Sequence, residues 1–362
     1  MNEATTSFWK ATWQRLQRNK GALAGLVLIV IAVFIALFGY FLAPDPSPYA
    51  NRIILEIGGR KPGFTQTFVQ VQKVEAPQKE SVLEQAIGGR RDAYDLIPIT
   101  SWQTEEDSLV VQKYIDEDVT ERLSFSKKEL AAQPVVTKKF LLGTDKYGRD
   151  ILSRLIIGTR VSLSVGLITV LISLTLGIFL GATAGYFRGK ADDLIMWLIN
   201  VIWSIPTLLL VFAITLLLGK GFWQVFIAVG LTMWVNVARL VRGQVLAARE
   251  LQYVEAARAL GFSNLRIMAH HILPNILGPI LVIAASNFAS AIVIEAGLSF
   301  LGVGVQPPQP SWGLMIKENY NFIITQNPML ALAPGFAIML LVLAFNLLGN
   351  GLRDALNVRG KI

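Results

Sequence analysis

Six apolar runs set the plan of the chain. Residues 21–43 carry no charge and, at about 20 residues, are long enough to cross a bilayer as a helix. Runs of similar character follow at 162–187, 194–218, 222–238, 275–294 and 329–348, so the pattern predicts about six membrane spans. The stretch between the first two runs, from 45 to about 140, is different. There Val69, Val71 and Val74, the run 94–99 and the run 109–111 read as short strands, with a helix around 81–87. A small α+β domain is therefore expected as an insertion in an otherwise all-α polytopic chain. Ahead of the first run, Phe8, Trp9, Trp13 and Leu16 interleave with Lys10, Arg15, Arg18 and Lys20, an amphipathic segment suited to an anionic membrane surface. Without a convincing cleavage site after it, the first run reads as a span and not as a signal peptide. The divisions expected are thus 1–44, an inserted domain at 45–140, a core at 141–352 and a tail at 353–362.

Composition supports that class. Hydrophobic residues make up 53% of the chain and charged residues only 16%, which excludes an ordinary soluble domain. There is no cysteine, so disulfides and thiolate metal sites are ruled out, and two adjacent histidines give no basis for a histidine metal site. The net charge of +8 could point to nucleic acid, but its distribution points to topology. Alternate crossing from an inside N-terminus places Arg188, Lys190, Arg239, Arg242, Arg249, Arg258, Arg266, Arg353, Arg359 and Lys361 on the cytoplasmic side. The short outer loops keep little more than Lys220 and Lys317, as the positive-inside bias requires. Both termini are then cytoplasmic and the insertion lies outside.

The connection between the fourth and fifth runs carries the most specific pattern, YVEAARALGFSNLRIMAHHILPN at 253–275. Tyr253, Ala256, Ala257 and Leu260 fall on one side of a helix, with Glu255 and Arg258 roughly opposite. Gly261 suits the left-handed turn after a helix, and Ser263 can cap a second helix carrying Leu265, Met268 and Ile272. Pro274 fits the first turn of the apolar helix that follows. Two further stretches stand out. Before the second run, Gly143, Thr144, Asp145, Gly148, Arg149 and Asp150 lead into an interfacial helix with Ile151, Leu152, Leu155 and Ile156 on its apolar side, where the two acids can cap turns. After the fifth run, Leu298, Ser299, Phe300, Leu301 and Gly302 precede Pro307, Pro308, Pro310, Trp312 and Gly313.

Glu255, Ala256, Ala257, Gly261, Leu273 and Pro274 resemble the cytoplasmic EAA loop of membrane subunits of ABC importers. His271, where the wider family usually has isoleucine, resembles the dipeptide and oligopeptide branch, as do the two flanking signatures and the Leu352–Ala355 ending. The resemblance implies the type I importer permease fold, and a coupling loop at about 249–274 in which Tyr253, Glu255, Ala256, Ala257, Arg258, Leu260, Gly261, Leu273 and Pro274 meet an ATPase. It implies a homologous permease as heterodimer partner, two ATPase subunits that bind ATP and Mg, an extracytoplasmic solute-binding protein, and a bacterial inner membrane. The family usually has a much shorter connection where residues 45–140 lie, so that insertion has no implied role.

No glycine-rich phosphate loop occurs in this chain, so ATP hydrolysis is expected elsewhere and no catalytic residue is assigned. Trp203, Ser204 and Pro206 interrupt the third run, Asn287 puts an amide midway along the fifth, and Glu295 lies at its end. These residues either line a passage or, for the proline, serve helix packing alone. Glu295 is either a gating or solute-contacting carboxylate or a solvated acid. The later runs contain no Asp, Glu, Lys or Arg, which weighs against an ion-coupled carrier, the first rival reading. A membrane-tethered receptor, the second, leaves the later spans and the alanine-rich loop without a purpose.

Overall fold

The computed structural model describes residues 8–74, 80–325 and 327–356. Two compact units emerge; three of the boundaries between them fall within long helices and the fourth, at 306/307, in a loop. The first unit is helical. It contains α1 (Phe8–Arg18) and the start of α2 (Lys20–Leu42), most of α4 (Ile151–Phe187), and α5 (Gly189–Trp203), α6 (Thr207–Leu218) and α7 (Phe222–Ala248). It also holds α8 (Gln252–Ala259), α9 (Asn264–Arg266), α10 (Leu277–Phe300) and the end of α13 (Met329–Leu356). Five helices are long and apolar enough to cross a membrane, or six if α5 and α6, bent by 92° at their break, count as one.

Several runs end where the sequence pattern does not place them. α4 is one helix of 37 residues, about 55 Å at 1.5 Å per residue, with no separate interfacial segment before the span. It contains no proline, so nothing interrupts it. α7 runs to Ala248 and not to 238, because Arg239 and Arg242 end the apolar run without ending the helix. Arg242 is bound through two hydrogen bonds, 2.5 and 2.6 Å, to Asp192, so its charge is satisfied along the helix. α13 likewise continues to Leu356, so the expected tail begins as helix. The third run is not a straight span: Pro206 cannot donate the amide hydrogen that would carry α5 into α6.

α4 and α7 pack closely because of a glycine stripe at four-residue spacing, Gly177, Gly181 and Gly185. A β-carbon at Gly177 would stand 2.4 Å from Val237 Cβ, and one at Gly181 2.4 Å from the Ala238 carbonyl oxygen. Small residues permit such approach between helices in lipid, where van der Waals contact replaces the hydrophobic drive.

The second unit centres on an antiparallel five-stranded sheet, order β4-β3-β2-β1-β5. Its strands are β1 (Phe64–Gln72), β2 (Tyr94–Thr104), β3 (Ser108–Asp116), β4 (Val119–Ser126) and β5 (Leu130–Phe140). The insertion is thus α+β as the alternation implies, with β4 and β5 additional to the stretches read as strands. Their polar residues mask the period: β4 is an exposed edge strand rich in charge. Val74 lies beyond the end of β1 and is fully exposed. α3 (Val82–Gly88) starts on a capping box, Ser81 Oγ accepting from Glu84 N and Glu84 Oε2 from Ser81 N. Phe68 buries with Ile54, Ile57 and Phe140, while Val69, Ile99 and Val111 bury in a separate cluster with Leu109. The short helices α11 (Trp312–Asn319) and α12 (Phe322–Thr325) complete this unit.

Candidate functional site

The loop after α7 folds as two short helical arms about a glycine. α8 ends in paired reversed hydrogen bonds, Gly261 N to Arg258 O at 3.0 Å and Phe262 N to Ala257 O at 3.2 Å, with Gly261 at φ +78°. That closure requires left-handed backbone, and Gly261 supplies it. Ser263 Oγ accepts from Arg266 N to start α9, which passes into a π-helical turn, Ile267–Ile272. Wider i→i+5 winding aligns Ile267 with Ile272, five apart, and both bury fully. This corrects the expected face of the second arm: Leu265 is exposed, while Ile267 and Ile272 point inward beside half-buried Met268.

The first arm divides likewise. Val254 and Ala257 join the core formed by Val241, Val245, Ile267, Ile272 and Ile276, with Phe262 and Leu273 against it. Tyr253, Glu255, Ala256, Arg258 and Leu260 face outward, and Leu260 is 72% exposed. A rigid hairpin of helices therefore presents an apolar edge flanked by charges. Asn275 Nδ2 donates to Tyr253 Oη at 3.2 Å and to His271 O at 2.6 Å, tying the arms together. Pro274 sits in the 3₁₀ turn Leu273–Ile276 that leads into α10, where its missing amide hydrogen costs nothing. His271 stacks on Phe262, with ring centres 5.7 Å apart.

The break between α5 and α6 opens onto a cavity of about 440 Å³. Trp203 and Thr207 line it from the break, Thr232 and Asn236 from α7, Ser290 from α10 and Asn346 from α13. Ser204 and Pro206 shape the break without lining the cavity; Ser204 Oγ donates to Val201 O at 2.7 Å. Asn287 is not among the lining residues and is buried, its Nδ2 without a hydrogen-bond partner. Glu295 lies inside α10, fully buried, and Ser299 Oγ donates to its Oε1 at 2.7 Å. It is neither a solvated acid nor outside the spans, since α10 runs six residues beyond the apolar run, to Phe300. Asn236, Thr232, Ser290 and Asn346 were not singled out in the sequence, although Thr232 and Asn236 stand four apart in the otherwise apolar stretch 225–238 of α7, which is the available signal.

In the second unit, the Gly143–Asp150 stretch is a compact turn. Asp145 Oδ1 accepts from Tyr147 N at 2.9 Å and Arg149 N at 3.0 Å, and its Oδ2 from Arg149 Nε at 2.6 Å. Gly148, at φ +74°, leaves no room for a β-carbon beside the Ile54 carbonyl. Thr144 Oγ1 donates to Ile57 O and accepts from Arg60 N, while Arg149 also reaches Glu318 Oε2 at 2.7 Å. Asp150 accepts from Ser153 N and Oγ, yet its burial outweighs these bonds and raises its pKa. Burial lowers that of Lys138. Burial also opposes the charge on Arg52, but Asp45 and Asp92 overcome it and raise its pKa.

Residues 174–361, just over half the chain, match the family described as binding-protein-dependent transport system inner membrane component. Residues 7–56 match the N-terminal TM domain of oligopeptide transport permease C. The chain belongs to this family of ABC importer permeases. Among its relatives are the di/tripeptide transport system permease DppC of Pseudomonas aeruginosa, 36% identical over 97% of this chain and 92% of that one. The glutathione transport system permease GsiD of Pectobacterium atrosepticum is 43% identical over 61% of this chain and 73% of that one. Among solved structures, the MetNI methionine ABC transporter in inward-facing conformations aligns at TM-score 0.47 and 18% identity, over 57% of this permease and 98% of that chain. As a family member the permease is the membrane component of an ABC importer, and ATP hydrolysis resides in separate subunits.

Proposed function

We propose that this permease forms, with a homologous permease, the path by which short peptides or related small solutes enter across a bacterial inner membrane. Two ATPase subunits would drive it through the 253–274 hairpin, an extracytoplasmic binding protein would deliver the solute, and both termini would lie in the cytoplasm. The observation that carries the reading is the hairpin itself: α8 is fixed from within by Val254 and Ala257 while Tyr253, Ala256 and Leu260 are left uncovered on its outer edge. A rigid element with an exposed apolar edge transmits force from whatever docks there. The cavity at the α5–α6 break, with hydroxyls and amides on apolar walls, suits an amide-bearing solute in passage. Copurification of the assembly from membranes, with mass spectrometry of its subunits and bound solute, tests the reading. It predicts a second permease, ATPase subunits and a peptide-class solute; a lone chain that transports in response to an ion gradient would contradict it.

A further inference from the structure

A polar stripe runs along α7 past the end of the cavity. Thr232 and Asn236 line it, and Arg239, three residues on, falls on the same side one turn further. Its guanidinium lies over the Trp203 indole, 3.5 Å from the ring centre. Trp203 itself lines the cavity and donates from Nε1 to Asn236 Oδ1 at 3.2 Å. The cation thereby lies against a ring that lines the cavity, although Arg239 itself is not among the lining residues.

What this cation lacks is an anion. Arg239 Nη2 donates to the neutral Asn200 Oδ1 at 3.2 Å, while its Nε is enclosed without a hydrogen-bond partner. Among the described residues it enters no ion pair, whereas Arg242, one turn along, is locked to Asp192 and Arg249 lies 3.5 Å from Glu250. The cavity lining carries no charge at all. A guanidinium has five donors in a planar fork matched to a carboxylate, and here the enclosed Nε goes unpaired while the accessible outer edge is bonded only to a neutral amide.

We propose that Arg239 is the carboxylate-binding station of this cavity. The indole holds the guanidinium flat, its free edge takes the carboxylate of a small solute, and Asn236 and Asn346 face the rest of it. This rests on the reading of the cavity as the path and goes beyond it by naming what the path grips: a solute with a free carboxylate. With no charge in the lining, solute side chains go unsorted by sign.

The test uses the intact importer, reconstituted in vesicles with its binding protein and ATP, and two probes, dialanine and dialaninamide. The binding protein is a separate chain, so its own preference is the same for every permease variant and cancels in the comparison. Arg239→Gln is expected to lower the dialanine to dialaninamide uptake ratio by about tenfold, the scale of one charge-assisted hydrogen bond. Arg239→Lys, which keeps the charge but loses the fork, should lower it less. An unchanged ratio in an intact Arg239→Gln assembly overturns the station and leaves the path reading standing. Uptake of neither probe by the wild type overturns the peptide reading and the station with it. Should Arg239→Gln fail to assemble, Arg239→Lys decides, an unchanged ratio again counting against the station.

Discussion

Gly181 shows how much of this fold depends on the absence of a single methyl group. A side chain there would be driven into the Ala238 carbonyl, so Gly181→Val should cost about 1–3 kcal/mol by overpacking and lower the thermal midpoint of the purified assembly. The exposed Gly243, with open space around it, should accept alanine without such a drop. Asp150 makes a different demand, because burial raises its pKa above the ordinary carboxylate value. The folded chain then holds that proton more tightly than the unfolded one, and the resulting stability is full at low pH and lost as pH rises through the folded pKa. The stability of wild type relative to Asp150→Asn should therefore fall with rising pH across the carboxylate range and upward. A flat difference in a pH series of thermal midpoints would contradict this.

At the scale of elements, the two arms of the 252–276 hairpin share one core of Val254, Ala257, Ile267 and Ile272, and the function proposed above makes them one lever. Glu255→Ala removes an outward charge, and Gly261→Pro removes both the left-handed backbone and the amide that bonds to Arg258 O. The double variant should lose most ATP-dependent uptake, or lose its ATPase on purification, while the spans stay folded; unchanged uptake would refute the lever. Most of these elements were legible in the sequence. The glycine elbow, the Ser263 cap and the break at Pro206 each follow from a residue with one strong backbone preference. The continuation of α7 past Arg239 and Arg242 was not legible, because charge closes an apolar run while a partner such as Asp192, 50 positions away, lets the helix continue. The π-turn, which rotates Leu265 outward and Ile267 inward, leaves no mark in composition. Strands β4 and β5 were hidden by their own polarity, and the cavity lining by its dispersal over five helices.

At the scale of the whole molecule, the account describes a passive path moved from outside itself. The cavity carries hydroxyls and amides and the chain carries no phosphate loop; in the function proposed above, work enters through the uncovered edge of α8. The chain's lack of cysteine makes the claim directly measurable. Leu260→Cys would introduce the only thiol of this chain at the most exposed apolar position of α8's outer end, and a short bifunctional thiol reagent applied to the assembled importer would report its neighbour. The account predicts a covalent adduct with an ATPase subunit, and protection of that thiol from membrane-impermeant reagents added to intact cells. An adduct with no ATPase subunit, or labelling of Leu260→Cys from outside the cell, would contradict it.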